Sequence, residues 1–274
     1  MRSPFGVVLA LATALTLSFL LLPIVAIFLD IPPGRLLDGM NDPAAIDALV
    51  VTLKTTLIAN ALILLVGTPA AYLIGSRSFR ARPLLVTAVE LPLVLPPAVA
   101  GIGLLAAFGR FGLLGGTLDV LGLKLPFTQL AVVFAVMFVA GPFYVRAAIS
   151  AFESVDPSLT GAARTLGAGP ARTFFRVALP LAAGGLGAGW ALSFARGLGE
   201  FGATIMFAGS LQGVTQTLSL AVYEQFDVNF DVALAIGAEL VVISAFLLLA
   251  VKLVPTWTRS NSPSTTLFAP IGSR

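Results

Sequence analysis

Arg196 and Glu200 lie four residues apart in "SFARGLGEFGATIMFAG" (193–209), and Glu239 lies in "AIGAELVVISAF" (235–246), both runs otherwise apolar. Four residues is about one helical turn, so the first two share a face and pair. Ionisable groups in such surroundings are costly, and they face a bundle interior or a polar path. The chemistry open to them is ion pairing, contact with a passing ion, or gating. Bond-making chemistry has few groups to draw on, because the 274 residues hold no histidine and no cysteine. That removes the commonest general base and metal ligand, together with thiol and Ser-His nucleophiles. No G-x4-G-K-[ST] phosphate loop occurs either. "GGLGAG" (184–189) is glycine-rich but sits inside an apolar run, with Gly185 and Gly189 spaced for close helix contact. The expectation is a chain with no catalytic residues, no cofactor and no metal.

The elements that must position these groups follow from composition. Hydrophobic residues make up 58% of the chain and charged residues 11%, with mean hydropathy +1.00. A soluble domain carries about 25% charged residues, so lipid is the main solvent here. Six apolar runs, at about 5–29, 49–75, 84–108, 128–151, 178–207 and 232–254, are bounded by charge, glycine or proline. Each reaches the ~20 residues a helix needs to cross the hydrocarbon. The expected fold class is all-α, a polytopic membrane protein with six transmembrane helices in one domain over 1–274. Its core covers about 45–255, and the Ser/Thr/Pro-rich segment 256–274 reads as a flexible tail. The first run is about twice the length of a signal-peptide core and no small-x-small site follows it, so it reads as a retained helix.

An even number of spans puts both termini on one side, and the Lys/Arg distribution says which. One side collects eleven of the sixteen bases, among them Arg77, Arg80, Arg82, Arg164, Arg172 and Arg176, with only Glu153 and Asp156 as acids. The other collects Arg35, Arg110 and Lys124 against eight acids. The basic side, with both termini, is expected in the cytoplasm, beneath a plasma or inner membrane. The pI of about 9.7 reflects this asymmetry and not nucleic-acid binding.

The longest connection on the basic side contains "AARTLGAGPARTFFRVALP" (162–180). Asp156 can cap a helix, Pro157 suits its first position, and Gly167 or Gly169 can end it. A second helix restarts at Pro170 and runs into the fifth span. A short helix held on a turn below the membrane is more than a connector needs, since most connections are short. It either lies in the headgroups with its arginines on lipid phosphates, or forms a docking surface for a cytoplasmic partner.

The spacing of Gly161-Ala162-Ala163, three residues, Gly167, nine residues, then Val177-x-Leu179-Pro180 resembles the EAA loop of binding-protein-dependent ABC importer permeases. Gly161 stands where that pattern has Glu. The resemblance implies that Gly161, Ala162, Ala163, Arg164, Thr165, Leu166, Gly167 and Ala168 form a coupling helix seated in a cleft of a separate ATP-hydrolysing subunit. It also implies a second copy of the permease, a cytoplasmic ABC ATPase dimer and an external substrate-binding protein. "LPLVLPPAVAGIGLLAAFGRFGLLG" (91–115) and "FARGLGEFGATIMFAGSLQGVTQTLSLAVYEQFD" (194–227) are similar to segments of the molybdate/tungstate permease family. Sulfate permeases share the architecture, and "YEQFD" is a partial echo of them, so an oxyanion is implied, with molybdate or tungstate favoured.

The residues themselves agree with weak selection in the spans. Their cations are Arg196, which Glu200 occupies, and Lys54. Candidates for the pathway or its gate are Arg196, Glu200, Thr204 and Glu239; the alternative for Glu200 is a structural partner of Arg196 alone, and for Glu239 a polar contact between helices. Pro69, Pro92, Pro96 and Pro97 are expected to kink or break helices.

Overall fold

A computed structural model describes residues 4–259, with side chains described for 5–250. Arg2, Arg274 and the tail from residue 260 lie outside the described residues. Among those residues every regular element is helical.

α1 (Pro4–Leu29) is apolar throughout and none of its spanning window is buried. After the short α2 (Pro33–Met40), Asp42 caps α3 (Pro43–Gly75), its carboxylate accepting the Ala44 N–H at 2.8 Å. α3 therefore begins ahead of the apolar run, because the cap and Pro43 set its start rather than hydrophobicity.

The run at 84–108 does not form one straight span. It divides into α4 (Arg82–Val94) and α5 (Pro97–Phe108), bent by 113°. Leu95 and Pro96 are both extended, each with ψ 133°. Each precedes a proline, which disfavours helical backbone in the residue before it and supplies no N–H. Pro69 and Pro92 remain inside their helices.

α6 (Gly115–Val120) is a single turn and a half, and α7 (Gln129–Glu153) is the central helix of the bundle. α8 (Pro157–Thr165) follows, then α9 (Pro170–Thr173), a π turn at Phe174–Ala178 and α10 (Leu179–Leu198), the last three forming one continuous rod. Pro180 explains the π turn. It has no N–H to give, and its ring crowds the carbonyl one turn back, so the Leu179 N–H reaches instead to Phe174 O.

The fifth span differs from the expected 178–207. It begins at Pro170 and stops at Leu198, and after a break at 199–201 the short α11 (Gly202–Ala208) sets off separately. α12 (Leu218–Val228) precedes α13 (Phe230–Arg259), whose backbone runs four residues into the segment assigned to the tail. Among the described residues five helices are long and apolar enough to cross a membrane, six where the bent pair α4–α5 is counted as one span.

α7 lies between α3 and α10, and most of the core forms along it. Gly185 and Gly189 bring α10 down onto it. A Cβ at Gly185 would stand 2.6 Å from the Ala151 Cβ, and one at Gly189 would stand 2.7 Å from the Ala147 Cβ. On the other side, the hydroxyls of Tyr144 and Thr68 share a hydrogen bond of 2.6 Å between α7 and α3. Without a hydrophobic drive between helices in lipid, such close contacts and buried hydrogen bonds are what hold a bundle together.

Candidate functional site

At one end of the bundle the 152–180 connection forms as its sequence predicts. The Asp156 carboxylate accepts the Ser158 N–H at 2.8 Å, and hydrogen bonding from Ser158 holds its carboxyl below the ordinary value. Pro157 opens α8. The helix ends at Gly167, whose φ of +84° belongs to the left-handed region. Gly167 N–H donates to Arg164 O at 3.0 Å and Ala168 N–H to Ala163 O at 2.9 Å, the paired bonds of a Schellman motif. Gly169 plays a different part, as the residue before Pro170 where the next helix starts.

Nothing in α8 is buried, and Leu159 and Leu166 are 47% and 88% exposed. Arg164, Arg172 and Arg176 are exposed as well, and none pairs with a carboxylate among the described residues. This is a surface with apolar and cationic groups on offer. Beneath it the attachment is firm. Tyr72 of α3 packs on Phe152 of α7 at 5.2 Å between ring centroids and on Phe174 of the π turn at 4.8 Å. Arg82 ties α4 to Glu153 and donates to Ile74 O at 3.0 Å. Glu90 of α4 pairs with Arg146 of α7 at 2.6 Å. These contacts join α3, α4, α7 and the π turn at the base of the loop.

The second region is the α10–α11 break. Arg196 Nη2 lies 2.7 Å from Glu200 Oε2, as the spacing of four predicts. Glu200 is 1% exposed, and its Oε1 accepts the Ala203 N–H at 2.7 Å, so one carboxylate both pairs the arginine and caps α11. α11 rests on α5 through glycines. A Cβ at Gly101 would lie 2.7 Å from Ala203 O, and one at Gly202 would lie 2.8 Å from the Pro97 Cβ. The two broken helices thus meet each other, flanked by the long rods. Thr204 is fully buried and its hydroxyl has no hydrogen-bond partner among the described residues.

The structure brings Arg196, Glu200 and Thr204 to one place. Glu239 stands apart on α13, with Oε2 buried and no hydrogen bond or ion pair to that group. Lys54 is exposed on α3 and forms no ion pair among the described residues. Sequence reasoning missed a polar stripe on α3 that faces this region. Thr52, Thr56 and Asn60 are buried, Thr52 Oγ1 accepts the Leu218 N–H at 2.8 Å, and a Cβ at Gly197 would stand 3.3 Å from Thr56 Cγ2. Their spacing of four in an apolar helix is the signal that would have found them. The described residues contain no cluster suited to a metal ion.

Residues 67–259 match the family model described as binding-protein-dependent transport system inner membrane component. The chain belongs to that family. Among curated members, this inner membrane component is 41% identical over 233 residues to the molybdenum transport system permease protein ModB of Mycobacterium bovis, covering 85% of this chain and 88% of the relative. It is 42% identical over 177 residues to ModB of Escherichia coli K12, covering 64% and 77%. Among solved structures it resembles a chain of a bacterial alginate ABC transporter, with TM-score 0.67, 17% identity, and 93% and 94% of the two chains covered.

Proposed function

We propose that this chain is the permease subunit of an ABC importer that moves molybdate, or the isosteric tungstate, into the cytoplasm. The observation that carries the substrate is the 41% identity over 85% of the chain to a molybdenum transport permease. The permease works as a pair of identical chains on a separate ATPase dimer, and an external binding protein delivers and selects the ion. Both termini and α8 face the cytoplasm, in keeping with the concentration of arginines at that end.

The roles follow from the geometry. α8 docks on the ATPase, with Leu159 and Leu166 entering its surface and Arg164, Arg172 and Arg176 pairing with its carboxylates. ATP-driven closure shifts α8. The ring cluster of Tyr72, Phe152 and Phe174 then passes the shift to the long helices, and these move the α10–α11 break. Glu200 and Thr204 at that break form part of the gate. With Arg196 already paired, the path offers an anion few fixed charges, as suits a route from which the ion must also leave.

The test is uptake by the full chain reconstituted with its ATPase and binding protein. Molybdate uptake above sulfate is expected, and Gly167→Val should abolish it while the chain still inserts and the ATPase still binds. Sulfate uptake at equal or greater rate would overturn the substrate. Normal transport by Gly167→Val would overturn the coupling role of the loop.

A further inference from the structure

We propose that the cavity at the bundle end opposite α8 binds one anionic phospholipid. It lies between the end of α5 and the 109–127 loop and measures about 920 Å³, within the roughly 300–1,000 Å³ of small-ligand sites. The inference rests on the helices spanning a membrane and is independent of the transported ion.

Depth and chemistry change together along this cavity. Phe108 forms its inner wall and packs on Phe134 at 5.4 Å between ring centroids. Phe134 is five residues into α7, so that wall sits about 7.5 Å below the start of the helix at ~1.5 Å per residue. That level falls inside the apolar run of α7. Leu105 and Leu123 add apolar walls. At the mouth, beyond the end of α5 and just ahead of α7, stand Arg110 and Lys124 with one acid, Asp119. Both bases are exposed, and neither forms an ion pair among the described residues; the Arg110 guanidinium lies 5.9 Å from the Phe111 ring.

An apolar floor with cations at the rim is the complement of an acyl chain below a phosphate. Basic groups at this level attract anionic headgroups. The loop carries the same polarity outward, with Phe111, Leu113 and Val120 at 98%, 91% and 88% exposed. Large apolar side chains left open in a group mark a binding or membrane surface. A small free oxyanion would find two cations here but apolar walls for the rest of its shell, with little to replace its hydration. The phospholipid satisfies both ends at once.

The experiment uses the purified full chain in detergent, offered equal amounts of phosphatidylglycerol and phosphatidylethanolamine, with retained lipid counted by native mass spectrometry. Phosphatidylglycerol should be retained about tenfold over phosphatidylethanolamine, and the Arg110→Gln/Lys124→Gln variant should lose that preference. Leu123→Trp, which fills the cavity, should lower retention of both lipids. The charge variant sits on an exposed loop and decides the matter even where the filling variant fails to fold. Equal retention of the two lipids by the wild type would overturn the proposal, and so would a preference unchanged in the charge variant. Displacement of the lipid by millimolar sulfate would assign the site to a free oxyanion instead. Efficient disulfide formation between two Leu113→Cys chains in native membranes would assign it to a second copy.

Discussion

Consider replacing Arg196 by glutamine. Glu200 is 1% exposed, and its two oxygens are each engaged at 2.7 Å, one by Arg196 and one by the Ala203 N–H. Removing the arginine strands a buried carboxylate, an event that costs about 3–5 kcal/mol where both partners are fully buried. The Arg196 side chain is 27% exposed, so its partner is partly solvated and about 2–4 kcal/mol is the better expectation. Glu200→Gln is milder. The amide oxygen still accepts the Ala203 N–H, and the loss is the ion pair with Arg196, about 1–3 kcal/mol between the exposed and buried limits for such pairs. The double variant has no stranded charge and can form a neutral amide pair. It should therefore be more stable than Arg196→Gln alone, with a coupling energy of about 2 kcal/mol or more, far outside the ~0.5 kcal/mol within which independent sites add. The assay is reversible unfolding in mixed micelles of the wild type, both single variants and the double variant. Uptake of molybdate and of sulfate is measured beside it, at saturating loaded binding protein. Strict additivity would refute the pair. A double variant that folds well yet carries no molybdate would show that Arg196 contacts the anion.

Three further outcomes follow from other contacts. Gly189→Ala puts a methyl 2.7 Å from the Ala147 Cβ and should destabilise the α7–α10 contact by about 1–3 kcal/mol, while adding Ala147→Gly should return most of the loss in the same unfolding assay. At α8, Asp156→Ala should expose the Ser158 amide to faster hydrogen exchange and Asp156→Asn should not. In the wild type the folded carboxyl titrates below its ordinary 3.8, so the cap contributes fully above that pH and is lost only as pH falls further; exchange measured from neutrality to about pH 3 checks the sign. Because the natural chain has no cysteine, single cysteines report sidedness cleanly: Leu36→Cys and Gln212→Cys should label from outside intact cells, and Phe79→Cys and Ala168→Cys only after permeabilisation.

What the sequence disclosed and what it withheld divide along a physical line. Local chemistry was legible. Asp156, Pro157 and Gly167 place the ends of α8, Gly185 and Gly189 place a close helix contact, and Arg196 with Glu200 form a pair, because each depends on neighbours within a turn or on the absence of a side chain. Hydropathy found the spans but not their continuity. The prolines at 96 and 97 marked a break without giving its 113° angle, which the packing of α5 on α11 decides. The stop at Leu198 was invisible to an apolar count, since 199–207 is as greasy as the helix before it; Glu200 turning back to cap Ala203 is what ends one helix and begins the next. The partners of Glu90 and Thr52 lie 56 and 166 positions away in the chain, a distance that no local pattern reports.

The break that divides the third span also bears on how the chain is made. α5 has 12 residues and α11 has 7, about 18 and 10 Å long, and neither can cross a hydrocarbon core of about 30 Å. Their free backbone ends cannot be left facing lipid, so they settle only against helices already in place. α1, with none of its spanning window buried, needs no neighbour and can enter the bilayer as soon as it is synthesised. α4 and α5 emerge before α7, yet Glu90 waits for Arg146 and Phe108 for Phe134. A nascent chain arrested at residue 128 therefore holds its third span unfinished at the insertion machinery, and one arrested past residue 153 can release it. Order of synthesis and order of folding part company at this point, and protease protection of arrested chains would show the step.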